Sequence, residues 1–166
     1  MRIIARKLYN AWAMIAVELP DETATIALAD RISRLAQLGD IIALKGDLGT
    51  GKTAFARAFI RSRGNLEEEV PSPTFTLVQV YDLHLPIWHF DLYRLRSPDE
   101  AWELGIEQAF SEGISLIEWP ERLGPLLPEH HLELSLTFGD RPEARRVTLG
   151  AGGTWRARLA AITTDA

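Results

Sequence analysis

The chain has 166 residues, 46% apolar and 25% charged, enough for one compact domain with a sizeable core. Its net charge of −5 offers no global basic field, so tight independent RNA binding is not expected. It has no cysteine, which excludes disulfides, thiolate catalysis and cysteine zinc sites and fits a reducing, cytoplasmic setting.

Arg2, Arg6 and Lys7 precede a moderately apolar stretch from Leu8 to Leu19. This loosely imitates a signal peptide, but Asn10 and Glu18 interrupt it and no small-x-small cleavage site follows. Residues 1–18 are therefore read as an N-terminal extension or an added strand, and 19–166 as one domain. No run of 18 apolar residues occurs, so no membrane span is expected. Pro20-Asp21-Glu22 opens a helix to about Leu38, with Leu28, Ile32 and Leu35 on one face and Gly39 as its stop. Ile41 to Leu44 reads as a buried strand.

Gly46-Asp47-Leu48-Gly49-Thr50-Gly51-Lys52-Thr53 then matches G-x-x-x-x-G-K-[ST], the phosphate-binding P-loop. Three glycines let successive backbone N–H groups turn inward on a phosphate chain. The helix that follows, from Ala54 to about Gly64, aims its positive end at the same place. Lys52 supplies charge for the β- and γ-phosphates, and the Thr53 hydroxyl is the expected Mg²⁺ ligand.

Asn65 to Val70 reads as an acidic loop, Thr74 to Tyr81 and Ile87 to Leu95 as two antiparallel strands. The proline-stiffened segment Val70-Pro71-Ser72-Pro73-Thr74-Phe75-Thr76 lies where switch loops commonly lie, so Ser72 or Thr74 is a candidate γ-phosphate sensor. Strand alternation sets His89, Asp91 and Tyr93 on one face and Phe90 and Leu92 on the other. Asp91 is then placed to orient a water or hold a metal-bound water, or else to pair with Arg94 or cap a turn; His89 reads as a structural histidine. Ser97-Pro98-Asp99-Glu100 reads as a capping box opening a helix that carries Trp102, Ile106, Ala109 and Phe110 to the core. Ile114 to Glu118 is a short buried strand ending in an acid, the position from which P-loop proteins hold Mg²⁺. Trp119 either walls that site or fills core. Leu132, Leu134, Leu136 and Phe138 alternate as a half-buried strand that turns back into Arg146 to Leu149, and a helix from Thr154 to Ile162 follows. The expected fold is one α/β domain with a mixed parallel and antiparallel sheet flanked by helices. No N-K-x-D segment supports guanine recognition, so ATP is favoured, and no arginine-rich lid supports a nucleoside kinase.

The P-loop at 46–53, S-P-T-F-T-L-V at 72–78, H-F-D-L-Y-R-L at 89–95 and I-E-W-P at 117–120 together resemble the TsaE (YjeE) family. The order and spacing fit from about residue 19 to 149. The resemblance implies a P-loop fold and a Mg²⁺-dependent ATPase, weak alone, that serves threonylcarbamoyladenosine formation in tRNA. It implies TsaD and TsaB as protein partners, with tRNA touched only indirectly or weakly. It assigns phosphate and Mg²⁺ binding to Lys52 and Thr53, the metal to Glu118, and a role in hydrolysis to Asp91. Ser72 to Phe75 become a switch-like loop and Trp119 flanks the site. The opening helix near Asp21 to Thr23 approaches the nucleotide base, and a C-terminal arginine, Arg141 or Arg145, touches nucleotide. Ala54 departs from the second threonine that many relatives carry there. The rival readings are a small-molecule kinase and a nucleotide-controlled binding module without turnover.

Overall fold

Burial of the odd-numbered side chains from Ala13 to Leu19 builds strand β2 (Trp12–Leu19). It pairs antiparallel with β1 (Arg2–Tyr9) on one side and with β8 (Arg145–Ala151) on the other. The segment read as an extension thus adds two strands to the sheet. The computed structural model describes residues 1–9, 12–65, 67 and 69–164. Asn10 and Ala11, inside the apolar stretch from Leu8 to Leu19, Leu66 and Glu68, in the expected acidic loop, and Asp165 and Ala166, at the end of the expected domain, lie outside them.

The centre of the sheet is parallel. Strand β3 (Ile41–Lys45) lies between β6 (Ile114–Glu118) and β7 (Leu132–Phe138), and β5 (Ile87–Asp91) lies beyond β6. Antiparallel strands close both sides: β8 and then β2 and β1 beyond β7, and β4 (Val78–Tyr81) beyond β5. The mixed sheet is as expected. Strands buried on both faces need no alternation, and β6 is buried at all five positions.

Helices α1 (Glu22–Leu35), α2 (Lys52–Arg63) and α5 (Trp155–Thr164) contribute Leu28, Ile32, Phe55, Phe59, Trp155 and Leu159 to a core with Ile42, Leu44, Leu116 and Leu134. A second core has Ile41, Phe90 and Ile117 against α3 (Glu100–Glu103), α4 (Ile106–Glu112) and a 3₁₀ helix (Pro120–Leu126). Each fully buried phenylalanine contributes about 1.5–3 kcal/mol by leaving water. Among the described residues no helix is long and apolar enough to cross a membrane.

Several element ends differ from expectation, each for a local reason. Helix α1 stops at Leu35, not Leu38, because Ala36 turns extended and its N–H meets Ile32 O and Ser33 O. Arg63 then reaches from α2 to Ser33 O and Ala36 O, satisfying carbonyls that the helix leaves open. Strand β4 begins at Val78 rather than Thr74, because Leu77 is left-handed (φ 64) and its N–H returns to Pro73 O at 2.7 Å. Strand β5 ends at Asp91, since Leu92 turns to donate to Glu118 O. The helix expected from Ser97 starts at Glu100 and runs four residues, with no side-chain cap at Asp99. Gly105 breaks it, leaving Trp102 half exposed; Trp88 fills the space beneath Gly105 instead. Phe138 is also exposed, its ring lying under the Arg145 guanidinium at 5.1 Å.

At the end of β3, Lys45 Nζ sits 2.8 Å from Glu133 Oε2 on β7, and His131 Nε2 lies 3.8 Å from the same oxygen. His131 and then Lys45 hold the Glu133 carboxyl at about 2, against an ordinary 4.5. Folding therefore favours the ionised form. The stability it contributes is complete above about pH 4.5 and is lost as pH falls through about 2. Glu133→Gln is expected to lose less stability than the wild type across that window, measured by urea denaturation at stepped pH. Equal slopes would show that this carboxylate does not matter to the fold.

Candidate functional site

The carboxyl ends of β3, β5 and β6 meet at one end of the sheet, the place where open α/β sheets bind ligands. The loop from Gly46 to Gly51 leaves β3 there and delivers the chain into α2. Gly46 has φ +141, and a Cβ on it would stand 2.5 Å from Leu136 O and 2.6 Å from Thr50 Oγ1. Gly51, the N-cap of α2, has φ +102, a conformation that suits only glycine. Thr50 closes the turn by donating to Asp47 O at 2.8 Å. Arg145 braces the loop from outside, with Nε donating to Thr50 O at 3.1 Å and Nη2 to Gly49 O at 3.4 Å.

Lys52 is 4% exposed. Its Nζ donates to Gly46 O at 2.6 Å and Asp47 O at 2.8 Å, and lies 4.2 Å from the centre of the Trp119 ring. Burial pushes its pKa below the ordinary lysine value, while Glu118, Asp91, Glu121 and Asp47 oppose the shift. Trp119 reaches this position from a left-handed backbone (φ 58), and Tyr93 packs against its ring at 4.9 Å. The tryptophan therefore walls the site.

Thr53, in the first turn of α2, donates to Glu118, whose two oxygens each lie 2.9 Å from Thr53 Oγ1. Glu118 is the last residue of β6, is 2% exposed, and has Asp91 of β5 as its partner in register. Asp91 Oδ2 accepts from Thr74 Oγ1 at 3.2 Å, and Oδ1 from the Tyr93 N–H at the same distance. Ser72 Oγ and Thr74 Oγ1 share a 2.8 Å hydrogen bond. Arg94, the alternative partner for Asp91, instead lies over the Phe75 ring at 4.5 Å. The facing pattern read from β5 holds: His89 and Asp91 turn to this site, and Phe90 and Leu92 to the second core.

A cavity of about 250 Å³ lies between these groups, lined by Lys52, Thr53, Ser72, Thr74, Asp91 and Glu118 among others. Leu48, Gly49, Gly51, Ala54, Tyr93 and Trp119 complete its wall. Asp21 and Thr23 are not in that lining. Asp21 caps α1 through Ala24 N at 2.9 Å, and Thr23 borders a groove between α1 and α2. Arg141 and Arg145 border a further cavity of about 300 Å³ beside the P-loop, with Arg141 bonded to Pro20 O at 3.4 Å.

From sequence alone His89 reads as a structural histidine. Its Nε2 lies 2.9 Å from Glu118 Oε1, and the ring is fully buried. The alternation that sets His89 on the face of Asp91 carried that signal. Of Arg141 and Arg145, the two candidates for a nucleotide contact, Arg141 bonds Pro20 O and Arg145 bonds loop carbonyls; no sequence pattern gives those partners.

The missing space at Gly46 yields a test. Gly46→Ala is expected to weaken phosphate-ligand binding at least about tenfold and to cost about 1–3 kcal/mol of stability, because Leu136 O is backbone and cannot yield cheaply. Isothermal titration and urea denaturation measure the two effects; wild-type values in both would contradict this packing.

Residues 19–147 match the family model described as threonylcarbamoyl adenosine biosynthesis protein TsaE. The tRNA threonylcarbamoyladenosine biosynthesis protein TsaE of Rickettsia bellii is 42% identical over 123 residues, 74% of this chain and 85% of that protein. The Bacillus subtilis protein of the same name is 37% identical over 136 residues, covering 81% and 82%. The crystal structure of Bacillus subtilis YdiB superposes with a TM-score of 0.73 at 25% identity, covering 98% of each chain. With a P-loop at the ends of a mixed sheet and a match over most of its length, the chain belongs to the TsaE family.

Proposed function

We propose that this chain is an ATP-hydrolysing accessory subunit of threonylcarbamoyladenosine formation in tRNA, acting with TsaD and TsaB homologues in the cytoplasm. Membership of the family supports the pathway and nucleotide binding. The observation that carries hydrolysis is the convergence of buried Lys52, Asp91 and Glu118 with the half-buried Thr53 around one cavity.

Two buried carboxylates face one ammonium, so this set lacks positive charge. The Thr53 hydroxyl and Glu118 carboxylate are hard oxygen donors side by side, and they fit Mg²⁺. Bound Mg²⁺ would neutralise charge on the nucleotide's phosphate oxygens.

Lys52 trades its bonds to Gly46 O and Asp47 O for phosphate oxygens, and the loop amides orient the chain of phosphates. Asp91 is held by Thr74 and Tyr93 with its carboxylate toward the cavity, where it orients a water. The water oxygen attacks the γ-phosphorus and the bond to the bridging oxygen breaks. Its proton passes to Asp91, and ADP and phosphate leave. The same Thr74 hydroxyl lets the 72–75 loop sense whether the γ-phosphate is present. Arg145 and Asp21 border the nucleoside side of the site by this reading.

Partner activation has its own support. Leu48, on the cavity wall, is 77% exposed and Phe75, next to Thr74 of that wall, 81%, with Tyr93 and Phe138 half exposed. Such an apolar rim favours a protein surface. A partner seated there excludes water and strengthens the electrostatics inside. The acidic net charge leaves tRNA to be held chiefly by those partners.

Phosphate release from ATP, alone and with purified TsaD and TsaB, tests the proposal. Release is expected to be slow alone, to rise with the partners and to vanish in Lys52→Ala. Asp91→Asn is expected to lower the stimulated rate at least about 100-fold while its melting temperature stays near wild type. Unchanged release in Asp91→Asn would remove its role. Complex formation without stimulated release would favour a binding module, and ATP use that requires an added acceptor would favour a kinase.

A further inference from the structure

Glu118 meets Thr53 symmetrically: both of its oxygens lie 2.9 Å from the one hydroxyl. A hydroxyl carries one hydrogen, so this contact alone cannot say which oxygen it serves. A glutamate also has one more torsion than an aspartate, and its carboxylate can turn about the last bond. Something else must fix that rotation.

His89 is the group in place to do it. Its Nε2 stands 2.9 Å from Oε1 and not from Oε2, across a pair in which His89 is fully buried and Glu118 nearly so. The carboxylate accepts, so Nε2 carries the hydrogen. His89 Nδ1 is buried and has no hydrogen-bond partner among the described residues. A buried polar atom without a partner is costly, and a leucine or phenylalanine would fill the same space without that cost. The polar use of this ring therefore rests on the one bond to Glu118.

We propose that His89 is a positioning residue: it caps Oε1 of Glu118 and so presents Oε2 to Thr53 and to a nucleotide-bound divalent cation. The inference rests on the nucleotide and Mg²⁺ reading of this site. It differs from a packing role in one respect: only the donor at the Nε2 position matters. Second-sphere hydrogen bonds to a metal's ligands carry about 10–100-fold in metal affinity.

The test compares wild type, His89→Phe and His89→Gln by titrating a fluorescent ADP analogue without Mg²⁺ and at stepped Mg²⁺ concentrations, with melting temperatures in parallel. Glutamine places an amide N–H near the reach of Nε2; phenylalanine keeps the bulk and removes the donor. The Mg²⁺ concentration for half-maximal enhancement of binding is expected to rise about tenfold in His89→Phe. It is expected to return to within about threefold of wild type in His89→Gln, with Mg²⁺-free affinity unchanged in both. If His89→Phe does not fold, His89→Asn replaces it, because its shorter amide cannot reach Oε1. Wild-type Mg²⁺ dependence in the donor-free variant overturns the inference. Equal losses with and without Mg²⁺, unrescued by glutamine, overturn it too and leave a packing role. Mg²⁺-independent binding in the wild type would instead overturn the reading of the site on which the inference rests.

Discussion

The site depends on a hydrogen bond that spans 65 residues of sequence, from Thr53 at the start of α2 to Glu118 at the end of β6. It fixes the P-loop helix to the strand beside β3. Both ends are reached only because the fold is parallel here: β3, β6 and β5 finish at one edge, so a hydroxyl and two carboxylates arrive together. Burying those charges is tolerable only with partners. Lys52 finds two loop carbonyls and an aromatic face, Glu118 a hydroxyl and an imidazole, and Asp91 a hydroxyl and a backbone N–H.

Those partners are of two kinds. Some are scaffold, such as Arg145 on the loop carbonyls and Leu136 O against Gly46, and leave no room for the loop to change shape. Others are exchangeable. The bonds of Lys52 to Gly46 O and Asp47 O use donors that a phosphate chain would accept equally well. Thr74 on Asp91 is a contact between a loop and a strand, without support from a ladder. In the proposed function, ligand entry is therefore a substitution of hydrogen bonds at a preformed cradle, and the loop from 72 to 75 is the part that would respond.

Much of this was legible in the sequence because the signals were local. The glycine spacing of 46–53 names its backbone geometry, and the apolar run ending at Glu118 names a buried strand with an acid at its tip. Alternation in 89–93 sorted His89 and Asp91 from Phe90 and Leu92. What sequence missed was decided by tertiary contact. Trp102 reads as core on a long helix, yet Gly105 ends the helix and Trp88 takes the space. Thr74 reads as the start of a strand, yet a left-handed Leu77 turns it toward Asp91. His89 reads as structural because nothing in a single sequence says which carboxylate lies across the sheet. The strands β1 and β2 read only as an extension or an added strand, because β8, which joins β2 to the rest of the sheet, is more than a hundred residues away.

The most direct test is a crystal structure with a non-hydrolysable ATP analogue and Mg²⁺. The account predicts phosphates in the cradle of 46–53, Lys52 Nζ moved from its loop carbonyls to phosphate oxygens, and the cation at Thr53 with Glu118 beside it and still bonded to His89. A nucleotide bound elsewhere, or a cation held without Thr53 and Glu118, would contradict it.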